Sequence, residues 1–178
     1  MEFIDVLSVE GEKTGRIETR EMIHAKGLWH RTVHIWILSK NNDILLQKRA
    51  QEKQTHPGLW DMACAGHISS GETRLGAAMK EIHEELGITL SPDELNFLFT
   101  DKSEVFHCHG TYIDREFHDI FLVRKSIPLN AFSLQKNEVA ALMYLPFGDF
   151  LLKVKQKDPS LVPHFEEYSR ITDYITSA

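Results

Sequence analysis

The stretch from Gly66 to Ile88 constrains this chain more than any other. Between Thr73 and Leu86 it holds no proline and a single internal glycine, and Leu75, Ala78, Met79, Ile82 and Leu86 recur at spacings of three and four. That period predicts a helix with one buried stripe, and Gly87 stands where a left-handed cap commonly ends one. Glu81, Glu84 and Glu85 lie at i, i+3 and i+4, so their carboxylates leave one face within reach of a common point. Like charges so placed cost an isolated helix a few tenths of a kcal/mol per pair, and the C-terminal end of the helix dipole disfavours them further. Either water and the neighbouring Lys80 and Arg74 offset that repulsion, or a bound cation does.

Short strands and turns surround this helix. Phe3–Val9 reads as a strand and Glu10–Gly15 as a turn, followed by a return strand or a short helix around Thr19–Ala25. Val33–Leu38 and Ile44–Arg49 flank the turn Asn41-Asn42-Asp43 and predict a hairpin. Trp60–Ala65 follows the loop Gln51–Leu59 as a further strand. Strand patterning returns at Phe97–Ser103, Val105–Tyr112 and Phe117–Val123, and Pro146–Lys157 and Val162–Ile175 predict two closing helices. With 178 residues and no repeat or linker, one domain is expected. The order of elements predicts α/β or α+β layers around a mixed sheet.

Charge and composition narrow the partners. A net charge of −6 argues against a nucleic acid polymer, whose backbone is bound by clustered Lys and Arg. An acidic protein acting on a polyanion recruits divalent metal instead. No run approaches the roughly 20 apolar residues of a membrane span, and Met1–Asp5 lacks the basic start of a secretory signal, so a cytoplasmic protein is expected. Cys64 and Cys108 are expected to be free thiols.

Gly66, Glu72, Lys80-Glu81-Ile82, Glu84-Glu85 and Gly87-Ile88 together resemble the Nudix box, G-x5-E-x7-R-E-U-x-E-E-x-G-U with U aliphatic, at every defined position but one. The departure is Lys80, a compact charge where the pattern has the planar fork of Arg, which leaves the orientation of Glu72 or Glu84 looser. The resemblance implies a Nudix α/β/α sandwich, with residues 29–160 as the Nudix domain; the patterning adds 1–28 as a hairpin extension, which could support a homodimer, and 161–178 as a C-terminal helix. It implies an enzyme that hydrolyses a diphosphate bond, in a nucleoside diphosphate derivative or a related small-molecule pyrophosphate, with Mg²⁺ or Mn²⁺. Glu81 and Glu85 would hold the metal, with Glu84 and the carbonyl of Gly66 adding oxygens. Such a cation favours carboxylate oxygens and acidifies water for attack on phosphorus. A further carboxylate is expected from outside the box, Glu116 in preference to Glu138, although either also reads as a surface acid. Arg31, Lys48 and Arg49 are candidates for substrate phosphates. Trp36, Trp60, Phe106 and Tyr112 serve either a nucleobase or, more in keeping with large rings, the core.

Leu45–Ala50, His56-Pro57-Gly58-Leu59-Trp60 and Ala65-Gly66-His67 are similar to the Nudix subgroup related to type I isopentenyl diphosphate isomerase. That subgroup implies a second metal position, with His30, His67, Asp114 and Glu116 as counterpart ligands and His24 near another. His34, His107, His109 and His118 otherwise read as structural or surface residues, since no short zinc spacing is present. Two departures favour hydrolysis over isomerisation. Ala65 occupies the position of the isomerase cysteine, with Cys64 one residue away and so turned to the opposite face of a strand. The glutamate set is also complete. A silent diphosphate-binding module is the reading that the intact glutamates oppose most.

Overall fold

In the computed structural model, which describes residues 1–107 and 111–177 and the backbone alone at Phe106, the chain opens with an antiparallel pair, β1 (Phe3–Leu7) and β2 (Lys13–Thr19). Helix α1 (Arg20–Lys26) follows directly, so both alternatives expected here occur in succession. Thr19 caps α1 by accepting from the Met22 N–H, and Gly27 ends it in the left-handed region. Cys108, His109 and the Phe106 side chain, singled out above, lie outside the described residues.

A seven-stranded mixed sheet forms the frame: β3 (His30–Leu38), β4 (Ile44–Arg49), β5 (Trp60–Asp61), β6 (Cys64–His67), β7 (Asn96–His107), β8 (Tyr112–Arg124) and β9 (Val139–Leu145). The helices α2 (Arg74–Leu86), α3 (Phe147–Lys155) and α4 (Phe165–Ser177) cover it. β3 lies at its centre, parallel to β8 from His30 opposite Glu116 to Leu38 opposite Arg124. Its other edge is shared, with β6 beside Thr32–Ile35 and β4 beside Ile37–Leu38.

Side chains alternate across a strand, and here they sort the core in two. Val33, Ile35 and Ile37 pack with Ala77, Ala78, Ile82 and Leu86 of α2, whereas Trp36 and Leu38 pack with Phe150 and Val154 of α3 and Tyr168, Ile171 and Ile175 of α4. The result is the expected α/β/α sandwich. No helix among the described residues is long and apolar enough to cross a membrane.

Two expectations need correction. Trp60–Ala65 is not one strand: the chain leaves β4 after Asp61, whose carboxylate accepts the Met62 N–H at 3.0 Å, and joins β3 from Cys64. Val105–Tyr112 is no separate strand either, because β7 and β8 form one long hairpin in which the polar run Asp101–Glu104 stays paired. Residue type does not predict β9. Its Ala, Leu and Met residues favour helix intrinsically, and pairing with β4 overrides that preference.

Candidate active site

Helix α2 starts at Thr73, which accepts from the Gly76 N–H, and ends at Gly87, φ 68°, where a Cβ would stand 2.4 Å from the Ser133 carbonyl oxygen. With its apolar stripe buried against β3, the helix sends Glu81, Glu84 and Glu85 into a cleft of about 980 Å³. β6 passes so close that a Cβ on Gly66 would lie 2.2 Å from the Glu81 carboxyl carbon. Lys80 sits between two box glutamates, 3.4 Å from Glu81 and 3.6 Å from Glu72. Glu72 also accepts the Ser69 N–H at 3.2 Å.

Burial, reinforced by the charge of Glu85, raises the Glu81 carboxyl to about 7 against the pull of Lys80. Burial raises Glu85 to about 7 as well, against Lys53, the Cys64 thiol and the Ala65 amide. The Oε2 of Glu85 is buried without a hydrogen-bond partner. Two crowded carboxylates with an orphaned oxygen, beside a strand that only glycine lets approach, are a donor set that suits a hard divalent cation.

A second cluster gathers from four elements. His24 comes from α1, His30 from β3, His67 from β6, and Asp114 and Glu116 from β8. Ring nitrogens of the three histidines lie within 4.8 Å of one another. His24 Nε2 is 3.2 Å from His67 Nε2, and His30 Nε2 is 3.1 Å from Glu116 Oε1. His24 Nδ1 and Asp114 Oδ1 stand 2.9 Å apart, yet out of line for a hydrogen bond, and neither atom has another partner. Burial, with His30 adding to it, pushes the His67 imidazole well below its usual range and leaves it neutral. These nitrogens and carboxylates fit a metal ion of the kind imidazole favours.

The other candidates divide. Arg49 lines the cleft, holding Asp61 at 3.2 Å and the Thr55 carbonyl, whereas Lys48, next to it in β4, faces the other way over the Trp60 ring. Adjacent residues of a strand cannot share a face. Arg31 is turned from the cleft, bonded to Asp119 at 2.8 Å and to the Gly11 carbonyl. Trp36 is core, and Tyr112 stacks on His24 with ring centroids 4.3 Å apart. Glu116 belongs to the histidines, with His30 on one oxygen and His118 3.6 Å from the other. Glu138, ranked second from sequence, is the outside acid whose charge reaches Glu85, and it pairs with Lys53. An isolated lysine in a loop carries no pattern, so nothing in the sequence marks Lys53. Cys64 packs on the α2 side and Ala65 on the other, as strand alternation predicts.

The model of the NUDIX domain matches residues 28–165 of this chain. A relative named Nudix hydrolase 3, from Arabidopsis thaliana, is 41% identical over 98% of the chain, which spans only 23% of that protein. The isopentenyl-diphosphate Delta-isomerase of Pectobacterium atrosepticum is 27% identical over 95% of this chain and 91% of its own. Among solved structures, a protein of Deinococcus radiodurans superposes with a TM-score of 0.71 at 17% identity, covering 95% of this chain and 98% of that one, a likeness of fold.

Proposed function

Because this chain belongs to the NUDIX hydrolase family, we propose that it hydrolyses the diphosphate bond of a nucleoside diphosphate linked to another group, using Mg²⁺ or Mn²⁺. The observation that carries this reading is the buried pair Glu81 and Glu85, crowded over Gly66 with one oxygen unpartnered. Glu81 and Glu85 would hold the ion, with Glu84 and the Gly66 carbonyl adding oxygens. When bound, the cation neutralises charge on the diphosphate and acidifies the attacking water. Lys80 keeps Glu81 and Glu72 from swinging apart. Arg49 and Lys53 bring positive charge to the phosphates. Glu138 takes the water's proton in this reading, in place of Glu116, whose oxygens are engaged by His30 and His118.

The test is a phosphate-release screen of nucleoside diphosphate derivatives, dinucleotides and isopentenyl diphosphate with Mg²⁺ or Mn²⁺. Glu81→Gln should lower turnover at least about a hundredfold while leaving the fold intact. Full activity of that variant at saturating metal would sink the assignment.

A second reading is favoured by the His24, His30, His67, Asp114 and Glu116 cluster, which we assign to a second metal position, and by the relative named as an isomerase. Isomerisation of isopentenyl diphosphate would yield an allylic product without phosphate release. Against it stands Cys64, whose thiol lies in the α2-side core, where burial and Glu85 push it well above its usual range.

A further inference from the structure

The floor of the cleft holds another buried ion pair, which the reading above does not use. His34 lines the cleft from β3, and its Nδ1 lies 2.7 Å from Glu167 Oε2 of α4. The other Glu167 oxygen accepts the indole N–H of Trp36 at 2.8 Å. Trp36 is fully buried and Glu167 nearly so, so a carboxylate committed at both oxygens fixes the plane of the imidazole. The ring is held from the side as well, stacked on His118 with centroids 4.1 Å apart. The outer nitrogen, Nε2, has no hydrogen-bond partner among the described residues, and it is not among the fully buried polar atoms that lack one. It therefore meets the open space of the cleft.

Charge agrees with this geometry. Burial works to lower the His34 pKa, but the Glu167 carboxylate, with the charges of Asp61 and Glu116 adding to it, holds the imidazole above its usual range. Burial works to raise Glu167, yet His34, with His164 and His118 behind it, brings it down to about 2. The pair is thus an imidazolium and a carboxylate, which presents an N–H to a cleft already lined by Arg49 and Lys53.

We propose that His34 donates from Nε2 to a phosphoryl oxygen of the bound substrate, with Glu167 as its positioning residue. The inference rests on the cleft being a diphosphate site. Glu167 lies beyond residue 165, where the family match ends, so the contact belongs to this chain's terminal helix and not to the glutamate motif.

Asparagine reproduces the Nδ1 side of an imidazole but not the Nε2 side, so His34→Asn keeps a donor for Glu167 and removes the one facing the cleft. Calorimetric titration of inorganic pyrophosphate in Mg²⁺, with the thermal midpoint recorded alongside, separates the two roles. His34→Asn should weaken pyrophosphate binding at least about tenfold in a protein that still folds, at a thermal midpoint lowered by the loss of the buried ion pair. Glu167→Gln, which leaves a neutral acceptor, should weaken it by a smaller factor and raise KM more than it lowers kcat on any substrate that turns over. Unchanged affinity in folded His34→Asn overturns the proposal, as does a wild type that binds no pyrophosphate. Should His34→Asn not fold, the same criterion applies to Glu167→Gln. The titration needs no turnover, so a screen without hydrolysis removes the proposed reaction and leaves this inference to its own measurement.

Discussion

The glutamate cluster and the histidine cluster open onto neighbouring parts of one cleft, yet they are built in different ways. Glu81, Glu84 and Glu85 share one helix face, and helical geometry alone brings them together. His24, His30, His67, Asp114 and Glu116 arrive from four elements, with up to 92 positions between the first and the last, Glu116 minus His24. A local site is set by the period of one element. An assembled site exists only when the sheet has closed in register, so its geometry depends on the whole fold.

Gly66→Ala should produce the largest change that can break this contrast. Its Cβ would fall 2.2 Å from the Glu81 carboxyl carbon, and the carboxylate is the mobile partner. Displacing it by about 1 Å should cost turnover on the order of a hundredfold with little loss of thermal stability. Normal activity would mean that Gly66 does not pin the glutamates. His67→Asn addresses the other cluster: Zn²⁺ or Mn²⁺ titrated against the metal-free protein should bind roughly ten times more weakly than in the wild type, whereas Glu81→Gln should leave this imidazole-dependent binding intact. Equal losses in both variants would merge the two clusters into one.

Acid should discriminate further. Glu167 is held at about 2 against an ordinary value of 4.5, so its ionised form stabilises the fold above pH 4.5 for as long as His34 keeps its proton. That contribution is lost as the pH falls from 4.5 towards 2, and Glu167→Gln should flatten the acid limb of a denaturation profile there. A variant that unfolds in acid just as the wild type does would contradict the pairing. The smallest effect is expected from Lys80→Arg. A planar fork spanning Glu72 and Glu81 should raise activity by no more than about fivefold, since a partly exposed ion pair contributes up to about 1 kcal/mol.

The sequence was legible where function sits on one element. Spacing alone placed α2, its cap and its acidic face, and the strand pair β3 and β4 followed from residue type. The histidine cluster is visible in the sequence only through resemblance, because nothing local connects His24 to Glu116. Choosing Glu138 over Glu116 as the acid near Glu85 requires knowing that β9 pairs with β4, and β9 carries residues that read as helix. Lys53 and the pairing of His34 with Glu167 were silent for the same reason, since their partners lie 85 and 133 positions away.

Gly66 and His67 are consecutive residues of β6, one facing Glu81 and the other the histidines. A strand that slips by one residue exchanges its faces, so any slip of β6 against β3 would put an imidazole where Glu81 needs empty space and a hydrogen atom where His24 needs a nitrogen. The two halves of the cleft are therefore coupled through one strand. Four residues of one strand thus hold both halves in register.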